Sequence, residues 1–126
     1  MLKIESISIS HESKEYIVYP RVELITDCMS NKRTIYEVLC LVVGGTTEIC
    51  PKQFFAELSS RETYIIYRHA LENLKTQTTS AISLNVNINF LKSCYVEMLL
   101  SEFGSDTIIL ELVESSPLHL IIQSQD

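Results

Sequence analysis

A nearly unbroken apolar run at residues 34–43 constrains the fold more than any other feature of this chain. Glu37 is the one charged residue within the run, and most of the others are aliphatic or β-branched. Such a composition is typical of a strand that is buried on both faces, as in a parallel sheet. Gly44 and Gly45 follow directly and indicate where the strand ends. We therefore expect a parallel sheet that contains this segment.

Four other segments also have the character of strands. Residues 3–10 alternate weakly, and residues 16–26 are rich in Tyr, Val and Ile. Pro20 interrupts the second of these segments, which suits a strand at the edge of a sheet or the end of a strand. The complete set of predicted strands is residues 3–10, 16–26, 34–43, 81–87 and 107–113.

Helical segments alternate with the later strands. Pro51 suits a first helical position, and Ser59 and Glu62 have the spacing of a capping box that begins a second helix. A third helical stripe spans residues 91–104. Strands that alternate with helices indicate βαβ units around a parallel sheet. The predicted fold class is therefore α/β, in a single domain of residues 1–126.

Composition and charge argue against several classes of protein. The chain has 126 residues, of which 46% are hydrophobic and 21% are charged, as is typical of a globular domain. Its net charge of −6 and its lack of a Lys/Arg cluster argue against nucleic-acid binding. No apolar run approaches membrane-spanning length, and residues 1–10 do not resemble a signal peptide. We therefore expect a cytoplasmic protein with no nucleic-acid or membrane partner.

The cysteines are widely separated along the chain. Cys28, Cys40, Cys50 and Cys94 include no closely spaced pair of the kind that zinc sites use. Without a secretion signal, the expectation is four reduced thiols and no disulfide or zinc site.

Three strand-like strings place an oxygen-bearing side chain within or at the end of an apolar run. These side chains are Glu37, Asn85 and Glu111. Three such strands side by side would aim the three side chains at one point. Carboxylate and amide oxygens that converge in this way suit a hard divalent cation. The sequence therefore predicts a candidate metal site at these three residues.

Five short strings, taken in order, resemble the EAL domain, the cyclic di-GMP phosphodiesterase family of bacteria. They are PRVEL at residues 20–24, EVL at 37–39, PKQFF at 51–55, SLNVN at 83–87 and LELVES at 110–115. They are similar to the family patterns P-I-V-D-L, E-A-L, P-x-x-F-I, S-V-N-L-S and L-E-I-T-E-S. The resemblance implies the N-terminal half of an EAL-type TIM-like (β/α) barrel, an incomplete parallel sheet with helices.

The resemblance also implies roles for individual residues. In the family, the positions that Glu37, Asn85 and Glu111 match bind the catalytic Mg²⁺ or Mn²⁺. The position that Glu114 matches supports a neighbouring loop. In the family, two metal ions activate a water molecule that cleaves cyclic di-GMP to linear pGpG.

The chain departs from the family at three points. About four extra residues separate Pro20 from Glu37 relative to the family pattern. Residues 39–42 are LCLV where the family has L-L-R-W, so the arginine that contacts a substrate phosphate is missing. The family's paired aspartates, its metal-associated lysine and its general-base glutamate have no counterpart within residues 1–126. We therefore expect Mg²⁺ or Mn²⁺ to be held weakly, and the resemblance assigns no catalytic residue.

Three hypotheses for function follow. The first is a regulatory protein of EAL descent in cyclic di-GMP-linked signalling, such as motility or fimbrial expression, which acts mainly by protein contact. The open sheet edges of half a barrel predict a protein partner or a homo-oligomer, and cyclic di-GMP is an expected ligand. The second is an active metal-dependent phosphodiesterase. The third is a relic with no function beyond folding.

Each candidate site residue also has a purely structural interpretation. Glu37 suits a charge at the end of a strand, Asn85 suits an amide that satisfies backbone groups, and Glu111 suits a charge at a solvated rim. The histidines match no motif, and His69 is expected to be surface or core filler within a helix.

Overall fold

The computed structural model describes residues 1–27 and 33–113. Within these ranges the chain alternates strands and helices, so the predicted α/β class is confirmed. The strands are β1 (Ile7–His11), β2 (Lys14–Asp27), β3 (Arg33–Gly44), β4 (Thr47–Ile49), β5 (Ala81–Val86) and β6 (Ile108–Leu112). The helices are α1 (Pro51–Glu57), α2 (Ser60–Leu74), α3 (Ile88–Leu91) and α4 (Cys94–Phe103).

The described strands form one mixed sheet. Its order is β1-β2-β3-β5-β6, and β4 pairs with the C-terminal end of β3. Strands β1 to β4 pair antiparallel, whereas β3 pairs with β5, and β5 with β6, in parallel. The expected parallel sheet is therefore correct only for β3, β5 and β6. The sheet begins antiparallel because a turn at Glu12 and Ser13 joins β1 to β2, and strands joined so tightly must run in opposite directions.

The described helices cover one face of the sheet. Alternate strand residues point to this face, among them Val38, Val42 and Leu84, which are buried. They pack against the buried side of α2, including Ile66 and Tyr67. This layer forms the hydrophobic core and leaves the other face of the sheet without a covering helix among the described residues.

We call the other face the open face. We define it by the following residues: Ile17, Tyr19, Arg21, Glu23 and Ile25 on β2, Ile35, Glu37, Leu39, Leu41 and Val43 on β3, Ala81, Ser83 and Asn85 on β5, and Ile109 and Glu111 on β6. None of these residues belongs to either hydrophobic core cluster. The open face therefore carries all three predicted metal ligands.

The predicted helix signals are confirmed. Pro51 lies at the start of α1. Ser59 and Glu62 form a capping box, in which the Glu62 amide donates to Ser59 Oγ (3.1 Å) and the Ser59 amide donates to Glu62 Oε1 (2.8 Å). Gly104 follows α4 with a φ of 97°, a conformation that favours glycine, and so ends the third predicted helix. None of the helices in the described ranges is long and apolar enough to cross a membrane.

Residues 1–6, which we call the N-terminal arm, leave the sheet and run along α2. Gln77, just beyond α2, accepts from the Lys3 amide (2.9 Å) and donates to the Lys3 carbonyl (2.6 Å). Asn73 accepts from the Glu5 amide (3.1 Å), and His69 Nε2 donates to the Glu5 carbonyl (2.7 Å). His69, which was expected to be surface or core filler, thus helps to hold the arm through its ring. The strand predicted at residues 3–10 begins only at residue 7 for the same reason.

Candidate functional site on the open face

The three predicted ligands lie on three neighbouring strands. Glu37 is on β3, Asn85 on β5 and Glu111 on β6, and all three belong to the open face. Asn85 and Glu111 are directly paired, and Glu37 is paired with Ser83, two residues before Asn85. The three side chains therefore share one face of neighbouring strands.

The side chains of this region form two hydrogen-bonded pairs. Asn85 Nδ2 donates to Glu37 Oε2 over 3.1 Å, and Ser83 Oγ donates to Glu111 Oε1 over 2.5 Å. Ser83 is only 1% exposed, although it is polar, so its bond to Glu111 satisfies a buried hydroxyl. Sequence reasoning missed Ser83. Its place two residues before Asn85 in a strand was a usable signal, since such residues share a face.

Tyr67 holds β5 in place from the opposite face. This α2 residue is 3% exposed, and its hydroxyl donates to the backbone carbonyl of Asn85. Burial, with smaller contributions from Cys40 and Glu37, raises the pKa of Tyr67 above its usual range, so the phenol remains a donor. Its ring stacks on Phe55, with centroids 5.6 Å apart. Tyr67 therefore positions Asn85 without being part of the open face.

The second asparagine of the SLNVN string has a different task. Asn87 is the N-cap of α3, and its side chain accepts from the Phe90 amide over 2.9 Å. Asn87 Nδ2 also lies 3.3 Å from the Phe55 carbonyl, to which it donates. These contacts make Asn87 a structural residue that fixes the turn after β5.

β2 brings two further charges beside Glu37. Glu23 is directly opposite Glu37 in the antiparallel register, and Arg21 is opposite Leu39. Among the open-face residues named above, Arg21 is the one cation, against Glu23, Glu37 and Glu111. Sequence reasoning did not assign Arg21 or Glu23 to the site, because the β2–β3 register was needed to bring them there.

The end of β3 is apolar where it reaches the open face. Leu41 is 36% exposed and pairs with Tyr19, which is 42% exposed. Cys40 points instead toward the helices, and burial raises its pKa to about 12, so its thiol stays protonated. This part of the open face therefore offers apolar contact and no phosphate-binding group. Among the described cysteines Cys40, Cys50 and Cys94 are unpaired thiols.

The oxygen atoms of Glu37, Asn85 and Glu111 suit a hard cation, but the hydrogen bond between Asn85 and Glu37 does not favour cation binding. Glu37, Glu111 and the amide oxygen of Asn85 are oxygen ligands of the kind that Mg²⁺ and Mn²⁺ accept. Asn85, however, directs its amide nitrogen toward Glu37. A cation between these two side chains requires the amide to turn over and present Oδ1. Within residues 1–27 and 33–113, no three His, Cys, Asp or Glu side chains form a metal-binding group.

Comparisons of the chain with protein-family models, with curated proteins and with solved structures each give no match. The resemblance to the EAL domain therefore depends on the five sequence strings alone. Glu114, for which that resemblance implies a loop-supporting role, lies outside the described residues.

Proposed function

We propose that this chain is a regulatory module of EAL descent that acts in the cytoplasm mainly by protein contact, in bacterial cyclic di-GMP-linked signalling such as motility or fimbrial expression. Its mixed sheet would then correspond to the N-terminal half of an EAL-type barrel. The observation that carries the proposal is the exposed apolar pair Tyr19 and Leu41 on the open face. Leu41 stands where the family's arginine contacts a phosphate.

The charges of the open face support contact with a protein over binding of a free phosphodiester. On the described part of the open face, an approaching phosphodiester would meet the carboxylates of Glu23, Glu37 and Glu111, and there only Arg21 would offset them. A protein segment with apolar and basic side chains fits the same surface better. Its apolar groups would cover Tyr19 and Leu41, and its cations would face the carboxylates.

One observation favours a second candidate, a Mg²⁺- or Mn²⁺-dependent phosphodiesterase that converts cyclic di-GMP to linear pGpG. Glu37, Asn85 and Glu111 lie on one face of neighbouring strands, and Glu37 and Asn85 already touch. Bound metal would supply an activated water molecule and neutralise phosphate charge. In this chain Glu37 and Glu111 would hold the metal, and Asn85 would complete the set after its amide turned.

Turnover separates the two candidates. The purified chain is incubated with cyclic di-GMP and Mn²⁺, beside Glu37→Ala and the matched control Glu48→Ala, which removes an exposed carboxylate of β4. We expect no pGpG above the protein-free reaction for any of the three. Metal-dependent pGpG formation that is lost in Glu37→Ala and kept in Glu48→Ala would reject the contact proposal in favour of the phosphodiesterase.

A cellular assay tests protein contact directly. Wild-type chain, Leu41→Asp and Met98→Asp are produced at equal levels in a motile bacterium that uses cyclic di-GMP, and swimming is measured in soft agar. Met98 is the matched control, since it is 45% exposed but lies on α4. We expect the wild type and Met98→Asp to change motility and Leu41→Asp to lose the effect. Equal effects of all three would contradict a role for the open face.

A further inference from the structure

Along the outer edge of β2, no strand of the described ranges pairs with residues 19–25. β1 pairs with β2 only from Lys14 to Val18, and the N-terminal arm then turns away to α2. Among the described strands, β3 is thus the sole neighbour of residues 19–25. We call residues 19–25 the β2 edge. Unpaired strand edges present backbone donors and acceptors that another strand can use.

The turn between β1 and β2 fixes which backbone groups face outward. Glu12 and Ser13 have φ values of 51° and 67°, as in a two-residue type I′ hairpin turn closed by the pair His11 and Lys14. That closing pair exchanges hydrogen bonds, so Lys14 and every second residue after it direct their backbone groups away from β3. On the β2 edge these residues are Pro20, Val22 and Leu24. The missing amide hydrogen of Pro20 is therefore on the outer side, where a strand tolerates proline.

We propose that the β2 edge pairs with the β2 edge of a second copy, antiparallel, about a two-fold axis through Val22. The edge is complementary to itself in this register. Arg21 of each copy lies opposite Glu23 of the other, which gives two reciprocal ion pairs on the open face. Val22 exchanges backbone hydrogen bonds with its own symmetry mate, and the Leu24 amide donates to the Pro20 carbonyl of the second copy.

The apolar residues of the edge are also matched across the axis. Tyr19 lies opposite Ile25 of the second copy, and Leu24 lies opposite Pro20. Leu24 is 61% exposed and Tyr19 is 42% exposed in the single chain, although both are large and apolar. Pairing would cover both residues on both copies. It would also join the two sheets into one, with both open faces on the same side.

Charge selects this register over its neighbours. An antiparallel two-fold pairing can shift only in steps that keep the outward backbone groups facing each other. Centring the axis on residue 21 would place Arg21 against its own mate, and centring it on residue 23 would place Glu23 against its own mate. Like charges directly opposite each other destabilise a strand pair. Of these three registers, only the one centred on Val22 opposes unlike charges.

This pairing does not depend on the proposed function and can be tested alone. Sedimentation velocity and native mass spectrometry distinguish the 14.4 kDa chain from its dimer. Wild type is compared with Arg21→Glu, with Glu23→Arg and with the double exchange Arg21→Glu/Glu23→Arg. The matched control is Glu15→Arg. It makes the same change of charge on β2 as Glu23→Arg, but at a residue that pairs with β1 and lies outside the β2 edge.

We expect wild type, Glu15→Arg and the double exchange to dimerise. Each single exchange should weaken the dimer by roughly tenfold or more, because it opposes two like charges twice in each dimer. Circular dichroism confirms that each variant is folded. A wild type that stays monomeric at all concentrations would overturn the proposal. Single exchanges that dimerise normally, or a double exchange that does not recover, would overturn it as well.

A cross-link reports the register itself. In Val22→Cys the two introduced thiols lie at the axis, where opposed Cα atoms are about 5.5 Å apart, within the range of a disulfide. Mild oxidation followed by peptide mapping should give a disulfide that joins position 22 of both copies. Tyr19→Cys is the control. Position 19 lies opposite residue 25 of the second copy, so the two introduced thiols are too far apart to form a disulfide in this register. Linkage at position 19 without linkage at position 22 would overturn the proposed register.

Discussion

Glu23 and Glu37 lie directly opposite each other across β2 and β3, with both carboxylates on the open face. Like charges in this position destabilise an antiparallel strand pair by a few tenths of a kcal/mol to about 1 kcal/mol. Asn85 offsets part of this cost by donating a hydrogen bond to Glu37. The repulsion between Glu23 and Glu37 thus lowers the stability of the sheet at the candidate site.

Replacing Glu23 should therefore stabilise the folded chain. We expect Glu23→Thr to raise the free energy of unfolding by about 0.5 kcal/mol, since it removes the repulsion and adds a residue that favours strands. Urea denaturation at a concentration where the chain is monomeric measures the change. Glu15→Thr is the control, because Glu15 lies opposite Ser10 and not opposite an acid. A Glu23→Thr gain no larger than that of Glu15→Thr would contradict the repulsion.

Removing the hydroxyl of Tyr67 should destabilise the chain. Tyr67→Phe leaves the Asn85 carbonyl without its donor, and a buried unsatisfied acceptor costs about 1–3 kcal/mol. Chemical denaturation should show this loss. Tyr64→Phe is the control, since Tyr64 packs on Tyr95 and has no hydrogen bond through its hydroxyl to another described residue. Equal losses in the two variants would mean that the Tyr67 bond contributes little.

The contact between His11 and Glu62 should make stability depend on pH. Nδ1 of His11 lies 3.0 Å from Glu62 Oε1, and the two side chains are 12% and 18% exposed. The hydrogen bond with Glu62 raises the pKa of His11 against the effect of its partial burial, and the charges of Glu62, Glu12 and Glu57 add to it. Burial opposes ionisation of Glu62, but bonds from Ser59 and His11 outweigh it and lower the pKa of Glu62.

The sign of each shift sets the pH range. Protonated His11 stabilises the fold below its ordinary pKa of 6.5, and this contribution is lost as the pH rises through its raised pKa. Ionised Glu62 stabilises the fold above its ordinary pKa of 4.5, and this contribution is lost as the pH falls through its lowered pKa. The stability difference between wild type and His11→Gln should be largest between pH 4.5 and 6.5, at about 1 kcal/mol after solvent screening.

Thermal unfolding from pH 4 to pH 9 checks this dependence. The His11→Gln difference should shrink toward the alkaline end of the scan. Glu12→Gln is the control, because Glu12 is 81% exposed and lies 3.8 Å from the histidine ring, so little change is expected. A difference between wild type and His11→Gln that is constant across the scan would exclude the ion pair as its cause.

The hydrogen bonds between the N-terminal arm and the residues of α2 and just beyond it predict slow hydrogen exchange at two backbone amides. The Lys3 and Glu5 amides donate to Gln77 and Asn73. Gln77→Ala should speed hydrogen exchange at Lys3 roughly fivefold, for a bond worth about 1 kcal/mol. Gln53→Ala, at an exposed position of α1, should leave that rate unchanged. Unchanged exchange at Lys3 in Gln77→Ala would show that the side chain does not protect this amide.

Local signals in the sequence were sufficient for most elements. The capping box of Ser59 and Glu62, the proline of α1 and the glycine after α4 each act within one turn of backbone, so the sequence alone locates them. The alternation of side chains between the two faces of a strand is an equally local signal. It places Asn85 and Glu111 on the same face as Glu37, as expected.

Strand register was not local and was therefore missed. The antiparallel start of the sheet follows from the short connection at Glu12 and Ser13, whereas the expectation of a parallel sheet depended on the apolar run at residues 34–43 and on the later alternation of strands and helices. The opposition of Glu23 and Glu37 needs the β2–β3 register, which a single chain pattern does not specify. The course of the N-terminal arm depends on contacts between residues more than sixty positions apart.

The hydrogen bonds that hold the N-terminal arm against α2 also affect the β2 edge. If the arm were released, residues 1–6 could continue β1 along Tyr19 and the residues after it, and the chain would then cover its own bare strand. Gln77 and Asn73 recognise only main-chain atoms of the arm, so much of its sequence can drift without loosening this hold. A substitution at Asn73 or Gln77 should consequently shift the competition between the arm and a second copy for the β2 edge.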